Sequence, residues 1–406
     1  MKPSGSILTE YTVQTFPPRH QGAGRTRGSL AVVASIAGIV LATASLAALP
    51  YAAAAAAEPD SEATQSGSPG EDIYALPRSD GHIQPYQAQG QVWLMAGEPR
   101  EASVAVQIGD EGVLVVDTGV KDMARELLSQ IQRLDQEKGG DQKAIRYVID
   151  TDGLPDHIGG NAVIREAGST IVAGNFARDN PGLTSGAGVI ATQNLLTRLV
   201  QENANGVADA AQPNWPTDTE DFDTYNMHFN GEAVQLFHPH DATTDGNLIV
   251  MFRRSDVVVT GDVVDLTGYP IIDTARGGTI DGELVALNHI IDMSVPEDKQ
   301  EGGTLIIPGH GRFGDQSDVV HYKNVVTIIR NRVQYYKNQG KTLQQVLAIK
   351  PSWDYDQRWG HDDGPWTTRQ FIEAIYKTLP AHGPSFSMQT TTLVPADAAV
   401  TNGKKY

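Results

Sequence analysis

Short apolar runs separated by turn residues dominate the chain from residue 91 onward. Such runs, rich in β-branched residues and bounded by glycine and polar residues, predict β-strands. Residues 121–134, 160–167, 186–202 and 281–295 have patterns that predict helices, the first and third through apolar side chains at helical spacing. The predicted strands are QVWLMAG, SVAVQI, GVLVVDTG and AIRYVID in a first half, and GEAVQLFH, NLIVMF, DVVVTGD and TLIIPGHG in a second half. Strands and helices that alternate in this way predict an α/β protein.

The last part of the chain has a different pattern, in which helix signals follow one another without strands. Residues 319–339, 342–350 and 366–379 predict helices, and Thr342 with Gln345 forms the Thr-x-x-Gln sequence of a capping box. We expect this helical extension to pack on the α/β domain through buried aromatic side chains. The side chains expected in that contact are Trp353, Trp359 and Trp366.

The first 57 residues have the composition of an export signal. A basic stretch with Arg19, Arg25 and Arg27 precedes an uncharged apolar run and an alanine-rich segment, which is the order of regions in a cleaved signal peptide. An uncleaved membrane anchor is the alternative, because residues 30–49 match the length of a bilayer-spanning helix. Residues 58–84 are polar and predict a disordered linker. The expected location of the protein is therefore periplasmic or secreted.

The chain has 406 residues, no cysteine and a formal net charge of −18. Without cysteine, the protein has no disulfides, no thiolate chemistry and no thiolate metal ligands. The acidic charge argues against binding to nucleic acid and, after signal cleavage, against binding to an anionic membrane. We expect a small-molecule substrate or ligand, whose identity the composition leaves open, as it does the oligomeric state.

Four ligand-capable side chains follow predicted strands: Asp156, His157, Asp262 and His310. A loop at a strand end can hold a side chain rigidly while leaving it accessible. Two imidazoles and two carboxylates suit a borderline divalent ion such as Zn²⁺, and they also accept Fe²⁺ or Mn²⁺. Each residue alone has an ordinary explanation as a turn or helix-cap residue, so the metal hypothesis depends on the whole set.

Five motifs occur in a fixed order between about residues 88 and 315: VLVVDTG, PDHIGGN, TTDGN, VTGD and IPGHG. Together they resemble the metallo-β-lactamase superfamily, which includes class B lactamases and glyoxalase II. The resemblance implies an αββα four-layer sandwich over residues 85–315, with the active site at one edge of the two sheets. Residues 316–406 would form the helical extension beyond this common core.

The resemblance also implies two metal sites, of which one is complete in this chain. The family's three first-site histidines correspond here to Asp152, Leu154 and Thr243. Leu154 has no donor atom and Thr243 offers only a neutral hydroxyl, so the first site is expected to be degenerate. The second-site positions are the four residues named above, all with the side chains that the family uses. One divalent metal ion is therefore expected in the second site.

Three functions remain open at this point. A single-metal hydrolase would use Asp152 or Asp156 as its general base. A member of the fold that has lost catalysis would act as a binding or scaffold protein, and a purely structural ion would have its coordination sphere closed by four protein ligands. His238 and His240 could replace a lost first-site ligand, since His-x-His on a strand places both rings on one face.

Overall fold

The computed structural model describes residues 81–97, 101–139, 143–170, 186–207, 212–299 and 302–384. The predicted signal peptide, residues 1–57, lies outside these ranges, and so does the predicted linker up to residue 80. Within the described ranges, no helix is both long enough and apolar enough to cross a bilayer.

The first sheet has seven strands in the described part of the chain, and they lie side by side in chain order. The strands are β1 (Gln84–Gln87), β2 (Val92–Ala96), β3 (Val104–Gly109), β4 (Gly112–Val116), β5 (Ile145–Ile149), β6 (Gly188–Thr192) and β7 (Asp218–Glu220). Strands β1 to β4 pair antiparallel, whereas β4 to β7 pair parallel. The carboxyl ends of β4 and β5 therefore open at the same edge of this sheet.

The second sheet has five strands among the described residues, in the order β12-β11-β10-β9-β8. The strands are β8 (Thr224–Phe229), β9 (Glu232–Phe237), β10 (Ile249–Phe252), β11 (Val257–Val259) and β12 (Leu305–Ile307). Strands β11 and β12 pair parallel and the other neighbours pair antiparallel. As in the first sheet, two adjacent parallel strands end at one edge.

Helices cover the outer faces of both sheets. In the described residues they are α1 (Ala124–Glu137), α2 (Pro155–Ile158), α3 (Asn161–Glu166), α4 (Gln193–Ala204), α5 (Ile280–Met293), α6 (Gln316–Asn338), α7 (Leu343–Ile349), α8 (Trp353–Trp359) and α9 (Thr368–Thr378). Helices α1 and α3 share an apolar core with the first sheet. Helices α5 to α9 share one with the second sheet, and a third core lies between the sheets. The predicted αββα sandwich with a helical C-terminal extension is confirmed.

Neighbouring side chains of the central strands point into different cores. In β3, Val104 and Val106 pack under α1, whereas Ala105 packs between the two sheets. In β4, Val115 packs towards the helices and Leu114 packs between the sheets. Because both faces are buried, these strands are apolar at nearly every position and do not alternate with polar residues.

The prediction of a single helix over residues 186–202 was wrong in its first part. Strand β6 lies between β5 and β7 and contains Val189 and Ile190, and α4 begins only after Thr192, whose side chain caps it. A short apolar run fits a helical stripe as well as a buried strand. Pairing with two neighbouring strands decides between them, and that pairing is tertiary.

The helical extension also departs from its prediction at one aromatic residue. Trp359 is buried and Trp366 packs partly buried against the same core, but Trp353 is 69% exposed. Trp353 begins the short helix α8 and faces solvent, so its predicted role in the contact was wrong. The capping box of Thr342 and Gln345 at the start of α7 is confirmed.

Candidate metal centre

Four strand ends bring the candidate ligands to one edge of the sandwich. The parallel pairs β4–β5 and β11–β12 each send two chain segments to that edge, which is where open α/β sheets hold their ligands. The side chains concerned are Asp117 after β4, Asp152 after β5, Asp156 and His157 in α2, Asp262 in the 3₁₀ turn after β11, and His310 after β12.

His157 is the most buried of the candidate ligands, with no exposed surface. Its Nε2 atom lies 3.1 Å from Asp262 Oδ1. On the other side of the ring, Nδ1 donates to Asp117 Oδ2 over 2.9 Å. A carboxylate on the second ring nitrogen fixes the orientation and tautomer of a metal-binding histidine, so Asp117 has the position of an orienting residue.

Asp117 adopts a left-handed backbone conformation, with φ of 60°. Besides His157, it accepts hydrogen bonds from Thr151 N at 2.7 Å and from Thr151 Oγ1 at 2.6 Å. Aspartate tolerates this conformation better than most side chains. The turn at the end of β4 is thereby tied to the turn at the end of β5.

His310 lies close to both Asp262 and Asp156. Its Nε2 atom is 3.2 Å from Asp262 Oδ1 and 3.5 Å from Asp156 Oδ2. The rings of His157 and His310 are nearly perpendicular, with centroids 5.9 Å apart. Asp156 is 34% exposed, whereas the side chains of both histidines are at most 8% exposed. Solvent therefore reaches the centre beside Asp156.

The carboxylates and imidazoles of the centre shift each other's protonation. Burial alone would lower the pKa of His157, but Asp262 and its carboxylate neighbours raise it well above the ordinary value. Burial likewise opposes protonation of His310, yet Asp262 raises the pKa of His310 to about 9. Burial raises the pKa of Asp152 to about 7. Although burial acts the same way on Asp262, the two imidazoles hold the pKa of Asp262 below its ordinary range.

The donor atoms of the centre fit a divalent cation. Asp156, His157 and His310 each offer a ligand atom within 4.8 Å of the others, and so do Asp152, His157 and Asp262. The Oδ2 atoms of Asp152 and Asp262 are buried and accept no hydrogen bond from the described residues. Buried carboxylate oxygens are costly unless a cation or a proton neutralises them. Carboxylate and imidazole together are a ligand set for Zn²⁺, Fe²⁺ or Mn²⁺.

Two glycines of the motifs are required by close approach. A Cβ atom on Gly160 would lie 2.4 Å from the backbone oxygen of Thr118. A Cβ atom on Gly309 would lie 2.4 Å from Asp262 Oδ1. Both contacts are far inside van der Waals distance, so side chains at these positions would push the strand ends apart and displace Asp262.

Leu154 and Thr243 stand at the other two first-site positions, and neither belongs to a group of candidate metal ligands in the described part of the chain. Leu154 takes part through its backbone, donating from N to Asp152 Oδ1 over 2.6 Å. Thr243 Oγ1 donates to Asn247 Oδ1 over 3.0 Å, and Thr244 N donates to the same oxygen over 2.7 Å. These bonds form a local turn before β10.

His238 and His240 do not reach the centre either. His238 Nε2 lies 2.9 Å from the backbone oxygen of Asp245. His240 Nε2 lies 2.8 Å from Asp223 Oδ1, at an exposed position. The two rings lie against each other, with centroids 4.4 Å apart, and neither belongs to a candidate ligand group in the described part of the chain.

Sequence reasoning missed two buried carboxyl groups. Asp150 directly follows β5 and accepts hydrogen bonds from Asn161 Nδ2 on both oxygens, at 3.1 and 2.9 Å. Burial raises the pKa of Asp150 well above the ordinary value. An aspartate directly after an apolar strand is the signal that also marks Asp117.

Glu283, in the first turn of α5, is fully buried, and neither oxygen accepts a hydrogen bond from the described residues. Burial and then Asp262 raise its pKa well above the ordinary value, and its place at a helix start gives no sequence signal.

A family model described as the metallo-beta-lactamase superfamily matches residues 97–312. Among solved structures, the stereoselective inverting sec-alkylsulfatase Pisa1 from Pseudomonas sp. aligns with a TM-score of 0.53 at 13% identity, covering 73% of this chain and 50% of that one. The chain thus spans about half the length of that alkylsulfatase, and this likeness shows the fold. A metallo-beta-lactamase from Pontibacter korlensis aligns with a TM-score of 0.42 at 16% identity, covering 60% of this chain and 99% of that one. No curated protein matches the chain in sequence.

Proposed function

Because the chain belongs to the metallo-β-lactamase superfamily, we propose that it binds one divalent metal ion and hydrolyses a small-molecule substrate. The observation that carries this proposal is the convergence of Asp156, His157, Asp262 and His310 at one edge of the sheets. Zn²⁺ is the expected ion, and Fe²⁺ or Mn²⁺ can use the same donors.

The chemistry divides between the ion and the side chains around it. A divalent ion held by these residues would supply Lewis-acid polarisation of a substrate oxygen. Asp117 holds the ring of His157 in place through their 2.9 Å hydrogen bond. Asp156 is 34% exposed, whereas Asp152 has no exposed surface. We therefore assign to Asp156 the acceptance of a proton from the attacking water, since a general base must reach the group that it deprotonates.

A non-catalytic binding or scaffold protein is the alternative function. The turn of Thr243 and Asn247 supports it, because its hydrogen bonds engage the hydroxyl that stands where the family has a first-site histidine. In that case the ion would be structural, with protein ligands closing its coordination sphere. An exchangeable position on the ion distinguishes the two functions.

Export is part of the proposal. The basic and then uncharged, alanine-rich order of residues 1–57 supports a signal peptide, and hence a periplasmic or secreted protein. The net charge of −18 supports a small-molecule partner over nucleic acid or an anionic membrane.

Metal content is the first test of this function. The purified protein and a His157→Ala/His310→Ala double variant are compared by inductively coupled plasma mass spectrometry after incubation with Zn²⁺, Fe²⁺ or Mn²⁺. We expect about one equivalent in the wild type and loss in the double variant, because two imidazole ligands are removed. No bound metal in the wild type would contradict the proposal.

Hydrolysis is tested separately on the metal-loaded protein. A suitable panel contains a β-lactam, a thioester, a phosphoester and a secondary alkyl sulfate, with Asp156→Asn as the variant. Because Asp156 is also a proposed metal ligand, turnover is compared at metal concentrations that saturate both proteins. We expect the turnover that any substrate shows to fall by about 10²–10⁴-fold in this variant, as for loss of a general base. Metal binding without turnover on any ester class would favour the non-catalytic alternative.

A further inference from the structure

Asp152 stands at the position of a lost first-site histidine, yet its side chain remains within the ligand cluster. One of its carboxylate oxygens lies within 4.8 Å of ligand atoms of His157 and Asp262. Its Oδ1 atom accepts the backbone N–H of Leu154 over 2.6 Å. Its Oδ2 atom is buried and accepts no hydrogen bond from the described residues. A turn cap would need Oδ1 alone, so the placement of Oδ2 requires another explanation.

We propose that Asp152 is an additional ligand of the single metal ion, on the buried side of the centre. This inference rests on the proposed function, because it presupposes an ion among His157, Asp262 and His310. Asp152 has no exposed surface, whereas Asp156 is 34% exposed. Asp152 therefore lies on the buried side of the centre and Asp156 on the side open to solvent, where a substrate would contact Asp156 and not Asp152.

A ligand role explains the buried carboxylate better than a role as general base. A base must contact the water or substrate group whose proton it takes, and the Asp152 side chain has no exposed surface at which to do so. A cation beside Oδ2 would also offset the repulsion between Asp152 and Asp262, whose carboxylates each offer an oxygen within 4.8 Å of the other.

The additional carboxylate changes which ions the centre accepts. With Asp152 included, the ligand set comprises three carboxylates and two imidazoles. A catalytic Zn²⁺ ion needs only three protein ligands beside a water molecule, so the other side chains of the centre suffice for it without Asp152. Mn²⁺ prefers oxygen donors and six-coordinate sites. Asp152 is therefore the ligand on which Mn²⁺ binding depends, while Zn²⁺ binding depends on it less.

The ratio of Mn²⁺ to Zn²⁺ affinity tests this assignment. Asp152→Asn keeps an oxygen for the Leu154 N–H and replaces Oδ2 by an amide nitrogen, which is a poor metal ligand. Asp152→Ser is a second variant with a short polar side chain, in case the amide disturbs folding. Asp135→Asn is the matched control, because Asp135 is a buried aspartate of α1 that accepts Lys143 N over 2.7 Å and lies outside the ligand groups. Dissociation constants are measured by competition with a fluorescent chelator, and bound Mn²⁺ by electron paramagnetic resonance.

We expect Asp152→Asn to weaken Mn²⁺ binding by at least about tenfold, as loss of a metal-supporting group does, and Zn²⁺ binding by no more than about threefold, since four ligands remain. The Mn²⁺ resonance should change in either Asp152 variant and not in Asp135→Asn. An unchanged affinity ratio with an unchanged resonance would overturn the ligand role and leave the proposed function standing. A wild-type protein that binds neither ion would overturn both.

Discussion

Asp117→Asn should lower the affinity of the protein for metal more than it lowers the free energy of unfolding. Asp117 accepts three buried hydrogen bonds, from Thr151 N, Thr151 Oγ1 and His157 Nδ1. Asparagine can keep one oxygen on Thr151 N and can adopt the positive φ of 60°. Its amide nitrogen then faces the threonine hydroxyl and the imidazole, so two hydrogen bonds lose their charge.

The magnitude follows from those two bonds. A hydrogen bond to a charged group contributes roughly 1.5–3 kcal/mol and a neutral one roughly 0.5–1.5 kcal/mol, so the variant should lose about 2 kcal/mol of unfolding free energy. The effect on metal binding should be larger. An amide donor opposite Nδ1 of His157 places the proton of the neutral ring on Nε2, the nitrogen that faces Asp262. The dissociation constant for metal should then rise about 10–100-fold.

Urea unfolding of the metal-free protein and chelator competition measure the two quantities independently. Asp117→Ala is the comparison, because it loses every acceptor and strains the left-handed backbone, and it should cost about 3–5 kcal/mol. An Asp117→Asn variant that binds metal as tightly as the wild type would contradict an orienting role for Asp117. So would a loss of affinity that merely follows the loss of stability across both variants.

Three further changes have expected outcomes. Glu283→Leu should raise the unfolding free energy by about 1–3 kcal/mol at neutral pH, because it removes two buried oxygens that accept no hydrogen bond from the described residues. Burial and Asp262 raise the pKa of Glu283, so the folded wild type keeps a proton that the unfolded chain releases above about pH 4–5, and the wild type loses stability as pH rises. In urea unfolding, the difference in unfolding free energy between Glu283→Leu and the wild type should therefore widen with pH. A difference that stays constant with pH would contradict this. Gly309→Ala should weaken metal binding by at least about tenfold in chelator competition, since its Cβ would lie 2.4 Å from Asp262 Oδ1; wild-type affinity would show that the backbone yields. Trp359→Ala should cost about 3–5 kcal/mol in thermal unfolding and Trp353→Ala less than about 0.5 kcal/mol, and equal costs would contradict their different burial.

Much of the candidate centre could be predicted because its residues share one local signal. Asp262 and His310 each follow an apolar strand, and an α/β fold with parallel strands gathers such ends at one edge. Asp156 and His157 stand in the loop and short helix after β5 by the same logic. Residue type, motif order and strand pattern were sufficient to predict the set without any knowledge of distances.

Other features depended on neighbours that are remote in the chain. Residues 188–192 form a strand because β5 and β7 flank them, although their pattern fits a helix. His240 contacts Asp223 and belongs to no candidate ligand group among the described residues. Glu283 is buried although it begins a helix, because α5 and α6 pack together against the second sheet. The local pattern of apolar and polar residues predicts none of these three features.

The residue pattern alone predicted an α/β protein and four candidate metal ligands after apolar strands, because periodicity reports which faces are apolar and residue type reports which atoms can bind a metal. The resemblance of the motifs to the family added the edge at which these side chains meet and the positions that lack the first-site histidines. The tertiary structure was needed to show that Asp152 is buried among the candidate ligands and that Asp156 is 34% exposed. It was also needed to show that Asp152 and Asp262 each have an oxygen that accepts no hydrogen bond from the described residues. Burial and distance between side chains about 100 residues apart are properties of how the two sheets pack, and packing depends on the whole chain at once.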